Sequence, residues 1–214
     1  MEEKISQDEA LLAKAIKALA IAVYGLADKT FISEVSNIVK VHMTCAAVAA
    51  AGSAWIPVAG STIALLLGSG SIWSMYFRIN KRIGIAVSKK ILKSLGAGIL
   101  SNLSSALMAT LAGAILSFLP IGGQIASPMI MGTNVFAMTF ISAIIYVKIL
   151  TKIFKEGVDP TTLNAKDWRT TAEEILKNED IKILYKKGKE EYKKAKKEGE
   201  LKKEKKLELE KDDD

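Results

Sequence analysis

Between Ser36 and Lys155 the chain contains no aspartate and no glutamate, although it holds 23 acidic residues in all. Six of them stand at or before Val35 and seventeen follow Lys155, where 4 and 16 basic residues accompany them, while the acid-free middle carries ten Lys and Arg. The formal net charge of +7 therefore has its source in the middle of the chain. A helix with one face in water ordinarily shows both signs of charge there, so 120 residues without a carboxylate argue against a water-exposed surface. Cysteine occurs once, at Cys45, which excludes a disulfide within the chain, and histidine once, at His42. Acid–base catalysis needs paired titratable groups and a metal centre needs several ligands. The apolar half offers neither, so no catalytic residue, metal ligand or cofactor is expected.

Aromatic residues make up only 7% and do not interleave with the basic ones, so anionic membrane lipid, not nucleic acid, is the expected counter-charge. The opening MEEK lacks the basic and then apolar start of a secretory signal, and ends facing a reducing cytosol are expected. GSGSIW at Gly68 lacks the Lys and Ser/Thr of a phosphate-binding loop, and GIAVSKK at Gly84 lacks its remaining glycines. His42, beside Lys40, reads as an interfacial residue, and Cys45 as a small buried one.

What is present is a pair of long uncharged runs. Met43 to Phe77 is interrupted at WIPVAGS, where Pro57 removes a backbone donor and Gly60 permits a turn. Its arms would be about 18 Å and 27 Å long as helices, short of a hydrocarbon core of roughly 30 Å, so a re-entrant or buried hairpin competes with two full spans. Ser94 to Val147 is broken at LPIGGQIASP, with Pro120, Gly122 and Gly123 as turn residues. Its arms, Gly96 to Leu119 and Ile125 to Val147, would reach about 36 Å and 34 Å and are the stronger membrane-spanning candidates. Along the first of them Ala97, Ser101, Ser105, Ala109, Gly113 and Ser117 recur every fourth residue, a strip on which another helix, of this chain or of a second copy, can pack closely.

Every border of the two hairpins is basic: Arg78, Lys81, Arg82, Lys89, Lys90 and Lys93 between them, Lys148 and Lys152 after them. Positive residues stay on the cytoplasmic face, which places these residues and both termini in the cytoplasm and the hairpin turns outward. Residues 1–42 form an amphipathic segment, with Leu12, Ile16, Leu19, Val23 and Leu26 on one helix face and Phe31, Val35, Ile38 and Val39 on a second. Residues 43–155 form the membrane hairpin domain. Residues 156–214 read as cytoplasmic helices, starting near Asp159 and Pro160 and anchored by Trp168, Ile175, Leu176, Ile181 and Leu184. From Lys186 a Lys/Glu tail is expected to be a solvated helix or disordered. The expected fold is all-α.

The order IPVAGST, MYFRINKRIGIAVSKKILKSLG, then LPIGGQIASP followed by AMTFISAIIY, from about Val41 to Leu150, resembles a hydrophobic helical domain of unknown biochemical function. That domain is found behind bacterial GTPase domains and in inner-membrane proteins of the YcjF type. The chain departs from the pattern in having Ala143 where a glycine is expected four residues beyond Thr139, and in lacking a GTPase half. The resemblance implies membrane association beside a separately encoded GTPase. Three functional readings follow: a membrane scaffold or anchor that recruits a soluble partner, a membrane-permeabilising effector that oligomerises into a pore, and a soluble bundle with both hairpins buried inside it.

Overall fold

The computed structural model describes residues 9–53, 60–110 and 128–202, with side chains described over 11–52, 69–106 and 128–201. Seven α-helices occur among the described residues and no strand does: α1 Glu9–Tyr24, α2 Lys29–Ser53, α3 Gly60–Ile83, α4 Lys89–Thr110, α5 Pro128–Lys155, α6 Ala165–Lys177 and α7 Ile181–Lys197. Short 3₁₀ turns cover Pro160–Thr162 and Glu200–Lys202.

Local chemistry sets the helix ends. The Asp28 carboxylate accepts from the backbone N–H groups of Thr30 at 2.7 Å and Phe31 at 3.0 Å, capping α2. Gly84, at φ 81°, closes α3 with the Ile85 N–H returned to the Asn80 carbonyl at 3.0 Å, and Gly157, at φ 69°, ends α5 in the same way. Before α6, Asn164 and Asp167 form a reciprocal capping box. The start signal read at Asp159 serves only the short 3₁₀ turn, and α6 begins at Ala165.

α5 is the axis of the bundle. Twenty of its residues are buried, and α1, α2, α3, α6 and α7 all pack against it. The expected apolar faces of α1 and α2 supply the cover: Leu12, Ile16 and Leu19 are buried, as are Phe31, Val35 and Val39, with Val23 and Ile38 at the margin. Leu26 lies beyond the end of α1 and is exposed.

α2 runs without a break from Lys29 to Ser53, across the division drawn at residue 42, and a single core joins residues from Leu12 to Ala195 across all three compositional regions. α2 and α3 pack closely on each other, and α4 and α5 only lightly, among the described residues, while both expected hairpin turns lie outside them. The Lys/Glu segment is neither free nor featureless up to Lys197. Leu184, Tyr185, Gly188, Tyr192 and Ala195 recur at helical spacing and seat α7 on α5. A Cβ built on Gly188 would lie 2.8 Å from Ala137 Cα, so only glycine permits this approach.

Candidate functional site

α2 and α3 run in opposite directions, α4 returns beside α3, and α5 descends beside α2. The C-terminal ends of α2 and α4 and the N-terminal ends of α3 and α5 therefore meet at one pole of the bundle. Small residues bring the backbones close there: a Cβ on Gly132 would stand 3.1 Å from the Ala47 carbonyl oxygen, and Ala46, Ala50, Met131 and Val135 form a separate apolar cluster. Val48, Met129 and Ile130 are 45%, 54% and 41% exposed, so apolar side chains also face outward at this pole. The segments that link these helix ends, 54–59 and 111–127, contain no charged residue. Four of the five expected turn residues, Pro57, Pro120, Gly122 and Gly123, lie outside the described residues, and Gly60 is the first residue of α3.

The small-residue strip divides between described and undescribed parts. Ala97, Ser101 and Ser105 are exposed, while α4 packs through Leu92, Leu95, Gly96, Ile99 and Leu103. Among the described residues no helix covers that part. The Ser105 hydroxyl donates to the Ser101 carbonyl at 2.9 Å and the Asn102 amide to Gly98 at 2.9 Å, which satisfies polar groups without water. The side chain of Ala109 is not described, and Gly113 and Ser117 lie outside the described residues.

The basic border residues gather at the opposite pole. Arg78, Lys81 and Arg82 end α3, Lys89, Lys90 and Lys93 open α4, and Lys148 and Lys152 lie near the end of α5. The acids they lack in sequence reach them through the fold. Arg82 pairs with Glu34 of α2 and also stacks 5.3 Å over the Phe31 ring. Lys148 pairs with Glu179, and Lys152 with Glu174 and Glu156. Lys93 lies 4.9 Å over the Trp73 ring.

Between the poles the core is polar in places. Tyr76 and Tyr146 stack at 3.9 Å, with Trp168 6.2 Å beyond. The Tyr146 hydroxyl donates to Asn80 Oδ1 at 2.7 Å and the Tyr76 hydroxyl to the Ser142 carbonyl at 3.2 Å. His42 is not interfacial as its neighbour Lys40 implied; it is fully buried between α2 and α3. Its Nδ1 stands 3.4 Å from the Ser71 hydroxyl, which donates to the His42 carbonyl at 3.1 Å, and its Nε2 has no partner. Burial, with the charge of Arg78 behind it, lowers its pKa to about 4, so it is neutral at pH 7. Helical periodicity on α2 marks position 42 as inward, one turn from Val39, and the polarity of the residue concealed it. Cys45 is half-buried.

Among the described residues no group of three or more His, Cys, Asp or Glu is placed to hold a metal. A groove of about 600 Å³ between α1, α5 and α6 has Leu11, Ala15 and Ile175 along it, but its Lys148 and Lys152 are the lysines already paired with acids. α2 over Lys29–Gly52 and α5 over Pro128–Lys155 are each long and apolar enough to cross a membrane. No family model, curated protein or solved structure matches the chain.

Proposed function

We propose that the chain is a non-enzymatic membrane scaffold whose helical body stands at the cytoplasmic face of a bacterial inner membrane, with the apolar pole anchored in the bilayer. The observation that carries this reading is the convergence of four helix ends on one pole that exposes Val48, Met129 and Ile130, the sequence between those ends, 54–59 and 111–127, being free of charge. Anchoring is then monotopic and not by two full spans. α7 lies along α5 and carries ten charged side chains, each of which would cost about 2.5–3.5 kcal/mol at a bilayer centre. That expense confines the hydrocarbon to the pole. Both termini belong to the cytoplasmic side in this reading.

A separately encoded GTPase is the soluble partner that the family resemblance implies, and the charged outer faces of α6 and α7 are where it would dock. Homo-oligomers would form along the strip Ala97, Ser101, Ser105, Ala109, Gly113 and Ser117, of which Ala97, Ser101 and Ser105 are exposed among the described residues.

The test is flotation of the full-length protein with liposomes in high salt, which suppresses purely electrostatic binding. The wild type is expected to float, and Leu116→Glu with Leu119→Glu to remain in the dense fraction. The burial of α5 favours a second reading, a soluble bundle. That reading requires a monodisperse protein in detergent-free buffer that never floats, and this result would displace the anchor.

A further inference from the structure

The lysines nearest the apolar pole are not those that border the apolar runs in sequence. α7 lies antiparallel to α5: Gly188 sits against Ala137, Tyr192 packs edge-on to Phe136, and Lys196 Nζ lies 3.2 Å from Met129 Sδ. The last turns of α7 therefore come level with the exposed Met129 and Ile130. The close seat at Gly188 fixes the rotation of the helix, and Lys193, Lys196 and Lys197 are on its exposed side. Acids of the same region, Glu191, Glu198 and Glu200, line a small cleft toward α2 together with Lys40 and Lys194. Glu190 and Glu198 are exposed beside these lysines, so the outward face is mixed in sign with lysines in the majority at the edge of the apolar pole.

We propose that Lys193, Lys196 and Lys197 form a headgroup-binding ridge through which the pole selects a bilayer rich in anionic phospholipid. This rests on the reading that the pole enters the bilayer. Lysine stems lie against apolar surface while their ammonium groups remain in the headgroup layer, where phosphate is the counter-charge. Each lysine near an anionic surface strengthens binding about fivefold, and three together about a hundredfold. Arg82, Lys148 and Lys152, at the far pole, are paired with Glu34, Glu179 and Glu174 and take no part.

The experiment measures partition of the full-length protein onto vesicles of phosphatidylcholine alone and of phosphatidylcholine mixed equally with phosphatidylglycerol. It compares the wild type with two triple variants: Lys193→Gln, Lys196→Gln, Lys197→Gln, and Lys81→Gln, Lys89→Gln, Lys90→Gln. Circular dichroism and melting check that both variants keep the wild-type fold. The wild type is expected to favour the mixed vesicles about a hundredfold, the α7 variant to lose that preference while still binding both, and the α3–α4 variant to retain it. Equal binding of the wild type to both vesicles, or loss of the preference in the α3–α4 variant and not in the α7 variant, overturns the ridge and leaves the anchor standing. Binding to neither vesicle overturns the anchor itself.

Discussion

His42 is the residue whose burial has the clearest measurable consequence. It has an ordinary pKa of 6.5 in the unfolded chain and one of about 4 in the folded protein, so between those values the unfolded state binds the additional proton. The associated stability is fully present above pH 6.5 and is lost as pH falls through the folded pKa near 4. A shift of this size corresponds to a loss on the order of 3 kcal/mol. Urea unfolding from pH 7 to pH 4 is therefore expected to show a steeper decline for the wild type than for His42→Gln, the difference opening below pH 6.5. Parallel curves for the two proteins would mean that His42 is not held neutral by its surroundings.

At the scale of elements the α5–α7 contact is the one on which the architecture turns, since it places a highly charged helix against the most apolar one. Gly188 is the point of closest approach, and its would-be Cβ meets Ala137 Cα at 2.8 Å and Cβ at 2.9 Å, atoms fixed to the backbone of α5. Gly188→Ala gains about 1 kcal/mol of helix propensity but forces the helices apart, and the net expectation is a loss of about 1–2 kcal/mol. Gly98→Ala on α4 is the contrasting case, because a Cβ there meets nothing within 4 Å. It should stabilise by up to about 1 kcal/mol. Thermal melts of the two variants read the opposite signs directly. The period of Tyr185, Gly188, Tyr192 and Ala195 was present in the sequence, but a glycine among lysines reads as a helix weakener until a partner backbone is seen beside it.

For the whole molecule the anchor reading makes a prediction about depth. Trp168 is fully buried on α6 against the centre of the bundle, whereas Trp55 belongs to the uncharged stretch of sequence 54–59 between α2 and α3. In single-tryptophan variants bound to vesicles, a quencher carried on the lipid acyl chains is expected to dim Trp55 strongly and to leave Trp168 unchanged. Equal quenching at both would place the body within the bilayer. The poles of the bundle differ in charge: Arg82, Lys148 and Lys152 form ion pairs at one, where Tyr24 and Leu26 are also exposed, while Val48, Met129 and Ile130 are exposed at the other.

The amino-acid sequence by itself determined the all-helical character of the chain and the inward faces of α1 and α2, because each follows from periodicity. Tertiary structure alone decided that α5 is enclosed by five other helices, that α7 is seated on it, and that His42 is buried. It also decided that Glu34, Glu174 and Glu179 answer the basic residues of an acid-free region. Local spacing shows that a helix has an apolar face but not which distant helix will cover it. An apolar stretch reads alike whether lipid or other helices surround it, and only packing between residues far apart in the chain distinguishes the two.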